Sequence, residues 1–387
     1  MADTADSVVA LTRDLIEMES ENPPGNEAGV ADIIVDRLET SPIAFDVERY
    51  DVSDERPNVV ATAGHGQSHV LLTGHTDVVP ANAADWTEDP YTLRIDGDRL
   101  IGRGVSDMKA ALAAKLAAAE SYLQANPGGC RVTLAFVCDE EWDGLGTKAL
   151  VDRGVDADAA IIGEPTNLQA CIAQKGVVRY SLQVYGRSAH SGMPDRGASA
   201  VRGLTHALQL IQSLDEERRQ NTKHPFLQPE TVTTTEIEGG LGPNVVPDAA
   251  SATIDWRTHP DVTEPATTDS RIDELVAKLA EAHPDLEFEW ERLVFARGAA
   301  VDPESDIVQT VVDAATEAGI DCSAVGFNAA TDARFLIHDA GIPTVLFGPG
   351  SIADDAHTVD ESIDRSSLER TVKTYETVLE TYSKRTA

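Results

Sequence analysis

A histidine and an aspartate two residues apart end an apolar run in the first quarter of the chain. His75 and Asp77 follow the β-rich residues 70–73, and side chains two apart on a strand project to the same face. An imidazole can bind zinc through one ring nitrogen while a neighbouring carboxylate accepts the N–H of the other nitrogen and fixes the tautomer. The pattern therefore indicates a metal-ligating His75 oriented by Asp77. A strand-end histidine in an ordinary turn explains it equally well.

Three consecutive acids, Asp139, Glu140 and Glu141, follow the β-branched run 131–138. Their mutual repulsion is costly unless a cation lies among them. Adjacent side chains point in different directions, so one glutamate can ligate a metal while its neighbour stays free as a base beside water. A solvated acidic loop is the alternative interpretation in so acidic a chain.

Two further acids stand at element boundaries. Glu164 ends the apolar run 159–163, and Asp107 precedes the Ala-rich residues 110–123, which predict a helix; the alternative role for Asp107 is a helix N-cap. A strand followed by a polar residue thus recurs along the chain. In an open α/β sheet the site lies outside the carboxyl ends of the strands, so we expect these side chains to meet there.

The pattern changes from about residue 176. The order β-α-β-β-α-β is typical of a ferredoxin-like α+β unit, with strands predicted at 177–186, 231–238, 250–257 and 286–293 and helices at 198–214 and 270–281. Beyond it the α/β pattern resumes. The sequence therefore predicts an α/β domain in two segments, 1–175 and 294–387, that carries an inserted domain at 176–293.

Composition excludes several classes of partner. The 66 acidic residues against 31 basic ones give a formal net charge of −35, which argues against a nucleic-acid backbone. No apolar run is long enough for a membrane span, and the start resembles no signal peptide, so we expect a cytoplasmic protein. The four cysteines lack CxxC spacing, so they are expected to be reduced, and a metal would have to use histidine and carboxylates.

The acidity is spread along the chain rather than concentrated in a tail. Salt at about 1 M reduces the Debye length to about 3 Å and screens the self-repulsion of such a surface. We therefore hypothesise a halophilic source. Stability that increases with salt is the expected observation, and stability indifferent to salt would reject the hypothesis.

Nine motifs carry a resemblance to a known family, and the resemblance covers nearly the whole chain. They are GHTDVVP (74–80), GRGVSDMKA (102–110), DEEWDGLGT (139–147), GEPT (163–166), SAHSGMP (188–194), GPNVVPD (242–248), TDARF (331–335) and FGPG (347–350) followed by AHTVDE (356–361). In their order and spacing the chain resembles the dizinc aminoacylase and carboxypeptidase family, which includes succinyl-diaminopimelate desuccinylase, acetylornithine deacetylase and glutamate carboxypeptidase. The resemblance implies a zinc-peptidase-like catalytic domain with an inserted lid and dimerisation domain.

The resemblance also implies a metal-ligand set. Asp107 would bridge two zinc ions, with His75 and Glu164 completing the coordination of one ion and Glu141 and His357 that of the other. All five residues are present. Nitrogen and oxygen donors suit zinc, while cobalt or manganese could substitute because donor type does not separate these metals.

The remaining roles come from the same resemblance. Glu140 would be the general base, and His190, in dimeric members reaching in from the partner subunit, would stabilise the oxyanion. Asn244 and Arg257 would bind the substrate, whose carboxylate suits a bidentate arginine, and Gly350 would line the pocket through its backbone. An ordinary loop histidine and a surface arginine are the alternatives for His190 and Arg257.

The implied reaction is hydrolysis of the amide of an N-acyl amino acid by a water molecule held by two zinc ions. A desuccinylase or deacetylase is the first expectation, and a metallocarboxypeptidase or broad-specificity aminoacylase is the alternative. A non-catalytic metal-binding scaffold is a more distant one. The partners implied are a small acyl amino acid or dipeptide-like substrate and a second copy of the chain in a homodimer, with no nucleic acid and no membrane.

Overall fold

The computed structural model describes residues 2–385 and separates the chain into two compact units. The first unit contains the chain up to Ile172, the segment Val301–Val325 and the chain from Thr331 onward. The second unit contains Ala173–Ala300 and Gly326–Ala330. The insertion predicted at 176–293 therefore lies within the second unit.

Helices and strands alternate through both units. The helices are α1 (Ala2–Glu17), α2 (Ala28–Glu39), α3 (Ala110–Ala125), α4 (Leu145–Asp152), α5 (Ala200–Asn221), α6 (Ala266–Ala282), α7 (Asp306–Glu317), α8 (Ala333–His338) and α9 (Arg365–Arg385). The strands are β1 (Asp46–Ser53), β2 (Arg56–Ala63), β3 (His69–His75), β4 (Arg94–Asp96), β5 (Arg99–Ile101), β6 (Arg131–Val137), β7 (Ala159–Ile162), β8 (Ala170–Gln174), β9 (Gly176–Tyr185), β10 (Ala189–His190), β11 (Thr231–Gly239), β12 (Val245–Val246), β13 (Ala249–Thr258), β14 (Glu287–Ala296), β15 (Ala299–Ala300), β16 (Ala324–Phe327), β17 (Thr344–Leu346) and β18 (Ser362–Asp364). No helix among the described residues is both long and apolar enough to cross a membrane.

The main sheet of the first unit has the order β1-β2-β6-β3-β7-β17-β8. Its central strand β3 is buried at every position and runs parallel to both β6 and β7, as expected for an apolar strand covered on both faces. The carboxyl ends of these three strands therefore open at the same edge of the sheet. This arrangement confirms the predicted α/β fold.

Helix α3 is the buried helix of this unit. Alanine and leucine dominate it, nearly every side chain is buried, and it packs against α1 and α9. An irregular helical turn, Val105–Lys109, precedes it, and Asp107 lies inside that turn with non-helical angles (φ −124°, ψ 89°). Asp107 is therefore not a simple N-cap of α3.

The second unit contains a four-stranded antiparallel sheet in the order β11-β13-β9-β14, packed against α5 and α6. Alternate residues of β9, from Val178 to Val184, are buried, which is the period of a half-covered strand. Apart from the short β10 and β12, the element order is the predicted β-α-β-β-α-β. The sequence did not indicate the β10–β12 ladder or the small sheet β18-β5-β4.

Candidate metal centre

His75 ends β3 with both ring nitrogens engaged. Nδ1 lies 2.9 Å from the backbone oxygen of Asp77, and Nε2 lies 3.0 Å from Oδ1 of Asp107. The carboxylate of Asp77 is farther from Nδ1, at 3.6 Å, so the backbone carbonyl is the acceptor where the sequence pointed to the carboxylate. An Nδ1–H that donates to this carbonyl leaves the Nε2 lone pair facing Asp107, which is the tautomer required of a ligand.

The buried carboxylate of Asp77 binds the loop that follows β6. It accepts the backbone N–H groups of Glu140 and Glu141, at 3.2 and 3.1 Å, and the side-chain amide of Asn22 at 2.9 Å. The two glutamates thus have their backbone held against the end of β3. No role was predicted for Asn22 from the sequence, because nothing local shows which carboxylate it meets.

Asp107 lies between two histidines. Its Oδ1 faces His75, and its Oδ2 lies 3.4 Å from Nε2 of His357. The same His357 nitrogen is 3.2 Å from Oε1 of Glu141, and His75, Asp107 and Glu141 offer donor atoms that all lie within 4.8 Å of one another. The structure therefore brings together four of the five residues that the sequence resemblance named as ligands.

Glu361 fixes the loop that carries Asp107. Its Oε1 accepts hydrogen bonds from the backbone N–H groups of Ser106 and Asp107, at 2.7 and 3.0 Å. Its Oε2 accepts one from the backbone N–H of Gly104, at 3.1 Å, and one from Nη1 of Arg103, at 2.6 Å. Four donors on one buried carboxylate make a rigid support. In the sequence, Glu361 is the last residue of the motif AHTVDE, and no role was predicted for it.

The buried carboxylates repel one another. Burial raises the pKa of Glu164 to about 8, and the charge of Asp107 adds to the effect. Burial, followed by the charge of Glu164, raises the pKa of Glu140 well above its usual range. Hydrogen bonds to Asp107 and Glu141 raise the pKa of His357 to about 10. Such a cluster of anionic groups is electrostatically suited to a bound cation.

The donor set fits a divalent metal ion. Oε1 of Glu164 is buried and has no hydrogen-bond partner among the described residues, and an unpaired buried carboxylate oxygen is costly. A cation coordinated there would satisfy it. Imidazole nitrogens and carboxylate oxygens are the donors of zinc and related metals.

Asp332 is a further buried acid near this cluster that sequence reasoning did not single out. Its side chain is almost fully buried, and neither oxygen makes a well-formed hydrogen bond to a residue within 2–385. Burial raises its pKa, and its charge contributes to the raised pKa of Glu140. The sequence feature that could have indicated Asp332 was its place in the motif TDARF.

His190 and Asn244, two residues predicted to contact the substrate, lie beside each other in the second unit. His190 is exposed on β10 and pairs with Val245, and the carbonyl of Asn244 accepts the Ser191 N–H at 2.9 Å. Nδ1 of His190 accepts the N–H of Gly192 at 3.0 Å. In the neutral ring Nε2 therefore carries the proton and can act as a donor.

Arg257 and Gly350 have local structural partners. Arg257, on β13, donates from Nε to Oδ1 of Asp255 at 2.7 Å and is about one-third exposed. Gly350, in the first unit, has φ +77°, and a Cβ there would lie 2.0 Å from Oγ of Ser106. Glycine is therefore required at 350 by close packing next to the Asp107 loop.

Comparison with known proteins decides the family. The sequence model of the protein family "Peptidase family M20/M25/M40" matches residues 71–381. The match begins in β3, which carries His75, and ends in α9. The chain belongs to this family. It is accordingly a hydrolase, and the family that the sequence motifs indicated is confirmed.

Two relatives in the M20 family align over nearly the full length. Succinyl-diaminopimelate desuccinylase of Rhodospirillum centenum is 32% identical over 96% of each chain, and acetylornithine deacetylase of Myxococcus xanthus is 30% identical over 96% of each chain. The solved M20 family metallo-carboxypeptidase Sso-CP2 of Sulfolobus solfataricus has a TM-score of 0.78 and 19% identity, covering 97% of this chain and 99% of its own. That structure shares the fold.

Proposed function

We propose that the protein is a metal-dependent amidohydrolase that releases the amino group of an N-acyl amino acid. The observation that carries the proposal is the position of Asp107, whose two oxygens face His75 and His357 in a buried cluster of acids. A desuccinylase or deacetylase is the first choice, because the two relatives described above have those names.

Two divalent ions, with zinc the first choice and cobalt or manganese as substitutes, would be held by five residues. Asp107 would bridge them, His75 and Glu164 would complete one coordination shell, and Glu141 and His357 the other. When bound, such ions supply Lewis acidity towards an amide carbonyl and lower the pKa of water. The support is the close approach of the donors and the unpartnered oxygen of Glu164.

Glu140 is proposed as the general base. Its backbone N–H is tied to Asp77, while no side chain among the described residues donates a hydrogen bond to its carboxylate. The carboxylate is thus available to take a proton from the attacking water and return it to the departing amine. Asp77 would act by holding both His75 and the Glu140 loop in position.

The second unit would supply the substrate-binding residues. The Nε2–H of His190 would donate to the oxygen that becomes negative in the transition state. Asn244 and Arg257 would bind the substrate, with Arg257 pairing with its carboxylate. We propose that the catalytic domain comprises 1–175 and 294–387, that 176–293 is an inserted lid and dimerisation domain, and that the protein is a homodimer.

The test is a substrate panel. Zinc-loaded protein in high salt is incubated with N-succinyl-diaminopimelate, N-acetylornithine and a dipeptide ending in glutamate, and released primary amine is measured. One acyl amino acid cleaved far faster than the others supports the proposal. Preferential cleavage of the dipeptide would favour a metallocarboxypeptidase, and slow cleavage of all three a broad aminoacylase. No release from any of them would overturn the substrate class.

A further inference from the structure

We propose a separate metal site in the second unit, formed by Glu230, His259 and Asp261. A ring nitrogen of His259 and one carboxylate oxygen from each acid all lie within 4.8 Å of one another. Glu230 and His259 are buried, whereas Asp261 is exposed. The three donors therefore form a cluster in which two members are buried and the third is in contact with water.

The hydrogen bonds of His259 prepare it as a ligand. Its Nε2 lies 2.9 Å from the backbone oxygen of Gln228, and a carbonyl can only accept, so Nε2 carries the proton. The lone pair is then on Nδ1, to which no hydrogen bond is made within residues 2–385. Metal-ligating histidines are characteristically held in this way by a carbonyl or carboxylate on the opposite nitrogen.

Glu230 has one oxygen engaged and one with spare capacity. Its Oε2 accepts from Nε of Arg218 at 2.9 Å and from the Trp256 indole at 3.0 Å. Its Oε1 accepts the backbone N–H of His259, at 3.2 Å, and no other hydrogen bond from the described residues. A carboxylate oxygen has two lone pairs, so Oε1 can coordinate an ion while Oε2 keeps the side chain in place.

The chemistry of the donors defines the ligand class. One imidazole and two carboxylates, with an open side for water, suit a first-row divalent transition metal such as zinc better than calcium, which takes oxygen donors. Arg218 balances the charge of Glu230, so Asp261 supplies the net negative charge. The nearby His224 is not a fourth ligand, because its Nδ1 accepts the N–H groups of Phe226 and Leu227 and its proton is therefore on Nε2.

The test is a count of bound metal. Metal-stripped protein is brought to equilibrium by dialysis against zinc, and zinc per chain is measured by mass spectrometry. Asp261→Asn and His259→Gln should each bind one equivalent fewer than wild type. Asp54→Asn, an exposed aspartate in the turn between β1 and β2, is the matched control and should bind as wild type does.

An Asp107→Asn background separates this site from the one in the first unit. Zinc that remains bound in Asp107→Asn should be lost in the double variant Asp107→Asn/Asp261→Asn, whatever the substrate of the enzyme proves to be. Thermal unfolding of Asp261→Asn, whose side chain is at the surface, checks that the fold is retained. Equal zinc content in wild type, Asp261→Asn and His259→Gln would overturn the proposal.

Discussion

The candidate metal ligands of the first unit and the candidate substrate-binding residues of the second satisfy their polar groups in different ways. Glu164 and its neighbouring acids are buried close together, and one oxygen of Glu164 has no hydrogen-bond partner in the described part of the chain. By contrast, His190 is exposed, and Arg257 already pairs with Asp255. A buried unpaired charge is costly whereas an exposed or paired one is not. The first group is therefore electrostatically suited to a bound cation, whereas the second carries little unsatisfied polarity in the absence of a ligand.

The largest expected effect is that of replacing Glu140, the proposed general base beside the metal ligands. Glu140→Gln should lower kcat by about 10²–10⁴-fold, the usual contribution of a general base, because the amide cannot take a proton from water. Bound zinc should stay at the wild-type level. Turnover and metal content are measured on the same preparation.

Asp143→Asn is the matched control for this substitution. Asp143 is an exposed acid of the same loop, so its variant should keep nearly full turnover. A wild-type rate in Glu140→Gln would show that Glu140 is not the general base. Loss of metal together with rate would instead make Glu140 a ligand.

The next largest effect is expected from replacing His190, the proposed oxyanion donor of the second unit. His190→Gln should lower kcat by about 10²–10³-fold, as loss of an oxyanion donor does, without changing KM greatly or the metal content. His65→Gln replaces an exposed histidine of the first unit and should have no effect. A rate in His190→Gln within twofold of wild type, by steady-state kinetics, would argue for an ordinary loop histidine.

Metal removal should destabilise the first unit more at high pH. Without metal, the pKa of Glu164 is about 8 in the folded protein against an ordinary value of 4.5. Its contribution to stability is therefore present below about pH 4.5 and is lost as the pH rises through about 8. Ligation removes this loss because metal ligands are bound deprotonated.

Calorimetry of stripped and zinc-loaded protein checks this expectation. At one fixed zinc concentration, about 100 times the Kd measured near pH 5.5, zinc should add about 2.7 kcal/mol per site at that pH. The gain in Tm should be larger near pH 8, because the affinity for zinc increases as its ligands lose their protons. The measurement is made in the Asp261→Asn variant so that the second-unit site does not contribute. An equal gain at both pH values would contradict the assignment of Glu164 as a ligand.

The smallest effect distinguishes two arginines that share a partner. Arg257→Gln should raise KM about tenfold for a substrate with a free carboxylate, since a charged hydrogen bond is worth about 1.5–3 kcal/mol and Asp255 competes for it. Arg179 also binds Asp255, at 3.1 Å, so Arg179→Gln is the matched control and should leave KM unchanged. Equal increases in both variants would show an effect through Asp255 alone.

Several features could be predicted from the sequence because they are local. The period-2 burial of β9 and the Ala-rich composition of α3 indicated these elements, and the β-α-β-β-α-β order of the second unit followed. The strand-end positions of His75 and Glu164 predicted the sheet edge on which they lie. The halophilic hypothesis rests on charge alone and stays a prediction.

Other features depended on contacts between distant segments. The two-residue ladder that places His190 beside Val245 is too short for a periodic signal. The partners of Asp77 come from the loop after α1 and from the loop after β6, and no local pattern joins them. Asp332 is similar, because only packing shows that it lies near Glu140.

The sequence by itself determined the kinds of donor, their order along the chain and the elements that carry them, since residue type and hydrophobic period are local properties. Only the tertiary structure decided which donors meet. It placed Asp107 between His75 and His357 and set Glu361 beneath the Asp107 loop. It also joined Glu230 to His259. The physical reason is that these contacts form when the sheet, the helices and the loops pack, and packing depends on the whole chain.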